Sequence, residues 1–519
     1  GTIAQGQLGL EFAISRLDLA GLLSRQPATS LDGKLALTGP WLAPDIRADL
    51  ADAPRRVRLQ TDLGWINPQH ERRLQIRTAK LQRGSSELTA SGEFGLQDKL
   101  DFRLTGEFRR VNPAEFIAVP AGSLSGSLKT EGHLQPRPAV ALDYKLADSR
   151  FNNELLQGQG SLRLEENRLA AADFWLMLGR NRVDAKGSLG AASDTLQATL
   201  DLSQLRSFGP GFSGSARGSI HVSGKFADPV LEGRLDLADL ATPLGFAVGR
   251  AHLQARLQQG IQAPLSLQLD AERFRQGALL LEKLHARIDG SRGGHEARLN
   301  LAGKAGEQAV ELQALLAGGF DSDWRWRGSL REFSANGPVL LRLAGSTSLE
   351  AGRDRISLGD SRWTLGAAQL QLQRTSWQAG QIESAGKLSH LSLEQAFAVA
   401  GVHDYLSDLI LGGDWQLRFD PKNNDLNGEI RLAREAGDSL WQVATKRLPF
   451  ELQQASLQLK AQHNRISLAG LFSSARYGKL ELEGEARLDP VAGNLAEAMN
   501  LRLRGELPQL AAFNPLIGP

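Results

Sequence analysis

The chain has 519 residues, with 60 Lys and Arg set against 58 Asp and Glu for a formal net charge of +2; a phosphate-reading surface needs a clustered excess of cations, so a dedicated nucleic-acid binder is excluded. Cysteine is absent, which removes disulfide frameworks, thiol nucleophiles and thiolate metal sites together. The length allows about three or four ordinary domains or a single repeat array.

Taken in chain order, the dominant pattern is alternation of apolar and polar residues with period two, the mark of strands with one dry and one wet face. It runs through Leu35 and Leu37, Leu74 and Ile76, Phe102 and Leu104, Leu128, Leu162 and Leu164, Ile220 and Val222, and Leu235 and Leu237. It continues through Leu265, Leu267 and Leu269, Leu370 and Leu372, Trp415, Leu417 and Phe419, and Leu480 and Leu482. The intervening residues are mostly Gln, Arg, Lys, Glu, Ser and Thr, which belong in water. Strand-like segments return about every 10–12 residues with Gly, Asn or Asp between them, as an antiparallel meander requires. The predicted fold is therefore all-β with few short helices: an elongated, twisted antiparallel sheet, quasi-repetitive and curled into a groove. At that spacing about 47 strands, roughly 4.8 Å apart, would stack to roughly 220 Å.

A longer repeat overlies the alternation. Gly33–Gly39, Gly126–Gly132 and Gly218–Gly224 share the frame Gly-x-(apolar)-x-x-x-Gly, 93 and 92 positions apart, and each is followed by a proline, Pro44, Pro136 or Pro229. These glycines are read as places where the sheet bends or a neighbour approaches closely. Ten or eleven residues before each frame lies a short helical patch, centred on Leu22, Phe116 or Phe208. The second has good start chemistry, with Asn112 as N-cap, Pro113 in the first turn and Glu115 three residues after the cap. Further anchors fall at Phe333, which is degenerate, at Phe397 behind the capping box Ser392–Gln395, and at Phe513. The modules so marked are 1–105, 106–195, 196–330, 331–390, 391–505 and 506–519, one continuous β segment.

Catalytic and metal chemistry is not found. His295-Glu-Ala-Arg-Leu299 begins like H-E-x-x-H but carries Leu at the second histidine position, and the nine histidines show no pair at metal-ligand spacing. Asn423-Asn-Asp425-Leu-Asn427-Gly428 imitates the start of a calcium loop, yet position 12 is Arg434, and a hairpin turn is the better reading. Trp324 and Trp326 flank Arg325 as two residues of one strand face with the cation opposite. Catalytic residues, metal and cofactor are all expected to be absent. The densest apolar run, Phe174–Leu178, is about a quarter of the roughly 20 residues that a spanning helix needs. The start at Gly1 suggests a piece of a longer protein.

The unit of short helix, Gly-framed strand and proline, as in Leu202–Leu237 and again in 100–146 and 17–50, resembles the TamB branch of the AsmA-like superfamily, with 381–519 a looser match. The resemblance implies a central segment of a periplasmic protein of a Gram-negative bacterium, anchored in the inner membrane by an N-terminal helix and meeting an outer-membrane barrel partner, TamA, through a C-terminal domain. It implies a half-pipe with an apolar interior that carries phospholipid acyl chains between the two membranes, with the apolar residues of the alternations, Leu35 to Leu482, as the groove lining. The same resemblance supports a second role, assembly of outer-membrane or autotransporter β-proteins by edge-strand templating. A passive repetitive scaffold is the third reading.

Overall fold

The computed structural model describes residues 2–4, 6–18, 30–66, 73–97, 99–306, 308–337, 340–394, 396, 407–443, 446–489, 494–495 and 500–508. They divide into two compact units, Gly1–Gln259 with Ala271–Gly277, and Gly260–Asp270 with Ala278–Pro519. Both are built almost wholly of antiparallel β-strands. Many strands run to 11–14 residues, Asp228–Ala241 being 14, so the described residues hold 38 strands where the sequence spacing implied about 47.

In the first unit the chain meanders, each strand pairing with its neighbours in sequence, from Thr2–Ala4 through to Phe246–Leu257. Ala139–Leu146 and Ser149–Phe151 occupy one place in this order, since both pair with Gly122–His133 and with Glu154–Glu165. The second unit continues the same plan from Leu279–Ser291 to Asn500–Glu506. Between Trp326–Asn336 and Ala368–Gln378 it places two interrupted strands, Leu341–Leu343 with Thr347–Ala351, and Arg355–Leu358 with Ser361–Leu365. The short hairpin Leu440–Val443 with Lys446–Pro449 stands apart from the main pairing.

Long meanders lose their dry face when the register slips by one residue, and here bulges absorb the slips. Ile76 faces Gly92 and Ala79 faces Ala90, so two residues, Arg77 and Thr78, oppose one. Phe108 faces Gly126 and Val111 faces Leu124, with Arg110 at φ 50° and its amide donating to Ser125 Oγ at 3.0 Å. In each case the apolar residue after the bulge returns to the same side as the one before it.

The other side carries the charge. Arg58 to Asp49, Arg77 to Asp62 and Asp45, Arg103 to Glu131, Arg217 to Asp201 and Arg256 to Glu232 cross from strand to strand. Exposed pairs of this kind contribute little individually, and their value here is that they mark the wetted face.

Two of the expected helical patches are single 3-10 turns. Pro113–Glu115 has Asn112 as N-cap, its Oδ1 accepting from Ala114 N at 3.2 Å and Gly122 N at 3.0 Å. Glu115 does not close a capping box. It accepts from Ser86 Oγ at 2.9 Å, and Ser86 Oγ in turn accepts from Asn112 N at 3.0 Å, so a third strand relays the bond. Leu205–Phe208 has no side-chain cap and is tied down by buried Asn181, whose Nδ2 donates to Leu178 O and Gln204 O while its Oδ1 accepts from Gln204 N. Phe333 is not helical: it lies inside strand Trp326–Asn336, where its partner across the ladder is Ala314. Leu393, Glu394 and Ala396 are helical; Leu22, Phe397 and Phe513 lie outside the described residues. Asn423–Gly428 is part of a hairpin, its turn joining Ile410–Asp420 to Asp425–Ala436.

Turn carboxylates fasten the meander. Asp194, nearly fully buried, accepts from Arg168 Nε at 2.8 Å and Nη2 at 2.7 Å, and from Ala191 N at 2.8 Å. The Arg168 guanidinium holds its pKa well below the usual carboxylate range, against the opposing effect of burial. On the charged face the Arg58 hydrogen bond likewise holds Asp49 down at about 2. Depressed folded-state values make these contributions fully present above the unfolded carboxylate value, about 4, and remove them as pH falls through the folded values. The contribution of these carboxylates to the urea midpoint should therefore be constant above about pH 5 and be lost below about 4. Asp194→Asn should lower the midpoint at neutral pH and flatten the acid fall. An unchanged acid slope in that variant would exclude Asp194 as a contributor.

Candidate functional site

Cross-strand partners point to the same side of a sheet, so the register decides which apolar residues meet. In the first unit one row runs Leu37, Ile46, Leu63, Ile76, Gly92, Leu104, Thr130, Leu142, Leu162 and Ala172, and on through Gly187, Leu196, Val222, Leu231 and Leu257. Beside it, about 6.7 Å away along the strands, runs a second row: Leu35, Ala48, Thr61, Ala79, Ala90, Gly106, Leu128, Tyr144, Gly160, Phe174, Ala185, Ala198, Ile220, Gly233 and Ala255. A third begins at Leu50 and passes through Leu59, Leu81, Leu88 and Phe108. The middle row is mostly Ala, Gly and Thr, and the rows on either side are mostly Leu, Ile and Val. The result is an apolar face with a low floor and higher walls.

All thirteen candidates from Leu35 to Leu237 share this face. Seven more, from Leu370 to Leu482, share one face of the second unit, through pairs such as Leu372 with Gly386, Gly386 with Trp415, Trp415 with Ile430, and Gly470 with Leu482. Leu265, Leu267 and Leu269 lie on one face of strand Pro264–Gln276. None of the twenty-three is buried. Leu164, Ile220 and Leu480 are 52%, 38% and 39% exposed, and the others are half-buried. A face covered by a second layer would be sealed, so this one is shielded chiefly by its own neighbours.

The polar groups on the face are satisfied locally. Tyr144 lies opposite Gly160, its hydroxyl donating to the Trp175 carbonyl at 3.2 Å; burial pushes its pKa above the ordinary tyrosine value. Trp415 lies against Gly386, where a Cβ would sit 2.5 Å from the indole ring, and its Nε1 donates to Ser384 Oγ at 3.2 Å. Trp363 donates to Ser361 Oγ at 2.9 Å and packs edge-on against Phe333. Glycine opposite a flat ring is the device by which large aromatics lie down on this face instead of standing up from it.

Sequence alternation missed the floor. Ala79, Ala90, Ala185 and Ala198 carry no hydrophobic signal of their own, and only the cross-strand register identifies them. The expected pairing of Trp324 and Trp326 on one strand face is corrected: Trp324 sits in the turn at φ 58°, exposed beneath the Arg292 guanidinium, whereas Trp326 starts the strand and is buried. The left-handed residue breaks the alternation.

Residues 68–519 match the family model described as TamB, N-terminal domain. The chain belongs to the TamB family. It is thus a bacterial envelope protein, and among its described residues no helix is long and apolar enough to cross a membrane, which says nothing of β-barrels. The TamB-family segment presents its chemistry as a surface, with the same half-buried apolar rows recurring from strand to strand.

The ring-on-glycine arrangement gives a direct test. Gly386→Val should destabilise the second unit by about 1–3 kcal/mol, because the new side chain meets Trp415 and the Gln371 carbonyl. Combining it with Trp415→Leu should cost less than the two separate changes added together, as contacting residues require. Strict additivity in urea unfolding would show that the ring does not lie on this glycine.

Proposed function

We propose that this TamB-family chain is a periplasmic conduit that carries phospholipid acyl chains along its apolar face between the inner and outer membranes, without catalysis or a cofactor. The observation that supports this reading most strongly is the continuity of the half-buried apolar rows through the meander of each unit. An acyl chain laid on such a face gains about 0.8 kcal/mol for every CH₂ removed from water. Because the rows repeat with little change in chemistry, neighbouring positions hold the chain about equally well. Equal wells favour sliding over trapping. The low floor of Ala, Gly and Thr gives the chain depth, and the charged opposite face keeps the sheet in water. Contact with an outer-membrane barrel of the TamA type, and anchoring in the inner membrane, belong to the proposal for the full-length protein; no residue of this chain is assigned to either.

A second reading, templating of client β-strands, is favoured by one observation. Strand Gln7–Leu17 pairs with Thr2–Ala4 only over Gln7–Gly9, so the edge over residues 10–14 has no strand partner among the described residues. An unpaired edge is a template for strand addition.

Native mass spectrometry with lipid extraction, on protein purified from bacterial membranes without added detergent, separates the two. The conduit predicts several phospholipids per chain. Leu162→Asp with Val222→Asp in the first unit, or Leu372→Asp in the second, should remove most of them, because a carboxylate on an apolar surface repels an acyl chain. Arg103→Ala on the charged face should leave the lipid count unchanged. A stable, lipid-free wild-type monomer would reject the conduit and leave the edge-strand reading.

A further inference from the structure

On the apolar face of the second unit, one polar side chain stands where the register calls for an apolar one. His295 opens strand His295–Ala305, pairs with Gly290 and Gly318, and shares its side with Ala297, Leu299 and Leu301. It is 6% exposed. Both ring nitrogens are engaged: Nδ1 lies 2.9 Å from the Ser291 carbonyl oxygen, and Nε2 lies 2.9 Å from Trp326 Nε1. A carbonyl only accepts and an indole N–H only donates, so the imidazole is neutral, with its proton on Nδ1 and its lone pair on Nε2.

Trp326 is itself buried. Its ring lies over Gly318 and Gly328, where a Cβ at either would come within 2.6 Å of an indole carbon. The Phe320 ring, 5.4 Å from the imidazole, completes the cluster. The indole N–H thus reaches its acceptor only while His295 is unprotonated. A proton on Nε2 would set two donors against each other between two buried side chains.

We propose that His295 and Trp326 form a proton-operated latch on the apolar face. With neutral imidazole the indole is held flat over its two glycines. When the indole N–H lets go of Nε2, that lone pair takes a proton from hydronium, one N–H bond forming as one O–H bond breaks and water leaves; the imidazolium then turns its new N–H toward water and the indole leaves its seat. No other covalent bond changes.

The charged surroundings are consistent with release. Arg292, in the same turn as Ser291, is buried with its guanidinium 5.2 Å from the Trp324 ring, so an imidazolium would add a second cation to one buried turn. Asp289 is paired with Arg287, and Glu296 with Arg298 and Arg331. From the strand of Trp326 comes Arg327, opposite Glu350 of the next strand and 3.6 Å from Asp321. From Gln308–Phe320 the residues beside the ring are Gly318, Gly319 and Phe320. None of these carboxylates is hydrogen-bonded or ion-paired to the imidazole, so none holds it charged in place.

The latch goes beyond the conduit reading and does not rest on it, so it is tested without lipid, by ¹⁵N NMR of the whole chain labelled at histidine rings and tryptophan indoles. Trp326→Phe assigns the indole signal. As the pH is lowered stepwise while the protein stays folded, His295 should pass from the Nδ1–H tautomer to the doubly protonated ring. With the same midpoint, Trp326 indole exchange with solvent should rise about tenfold or more, while the other eight of the nine indoles stay as they were. His295→Gln, which does not titrate, should leave the Trp326 signal flat over the same pH steps. The proposal is overturned if His295 titrates while Trp326 stays unchanged, if neither changes while the protein remains folded, or if all indoles move together.

Discussion

Everything in this molecule depends on cross-strand register. The antiparallel ladder fixes which side chains stand opposite each other, and the two-residue period means that a slip of one position turns the dry face to water. A short sheet tolerates such a slip at its edge. A meander of this length cannot, because each strand is aligned on the one before it. The bulges at Arg77–Thr78 and at Arg110 are therefore part of the design: each inserts a residue on one strand and restores the next apolar side chain to its row.

Given a register that holds, the two faces diverge in what they can do. The charged face consists of exposed pairs that are worth little one by one, so a single pair on it can change at small cost. The apolar face has to remain apolar over many strands while staying partly open. It meets that demand by mixing sizes. Leu, Ile and Val form the outer rows, Ala, Gly and Thr the middle one, and the few aromatic rings that occur lie down over glycines, as Trp415 does on Gly386 and Trp326 on Gly318 and Gly328. Each of the indoles Trp326, Trp363 and Trp415 has its N–H bonded to a side chain on or near the face, so the size of the ring is added without leaving an unpaired donor on a dry surface.

How much of this could be read from the sequence follows from the same physics. Strand class, antiparallel order and the membership of Leu35, Leu104, Val222 or Leu417 in a dry face all come from period-two alternation, which is local. The Asn112 cap was legible for the same reason, being a matter of three adjacent residues. What was illegible is what two or more strands decide together. The small-residue floor is invisible because Ala90 and Ala198 alternate with nothing distinctive. The diversion of Glu115 to Ser86 depends on a strand 29 residues away, and the failure of Phe333 to begin a helix reflects its place in the ladder opposite Ala314. His295 appeared in the sequence only as a failed zinc motif. Its partner Trp326 lies 31 positions on, and no local pattern joins them.

That contrast bears on how such a face should work. On the proposed conduit reading, a surface built from one repeated rule offers no preferred stopping place, because an acyl chain that leaves one set of leucines meets another of similar depth. Departures from the rule are then the places where behaviour changes. Tyr144 departs from it with its hydroxyl satisfied by the Trp175 carbonyl, and the row continues past it through Gly160 and Phe174. The cluster at His295 departs differently: its polar atom is satisfied only in one protonation state, and the partner it holds is the bulkiest side chain a row can carry. If the proposed latch operates, its place is where the repeated rule is broken, because only there does a buried ring on the face depend on the protonation of its partner.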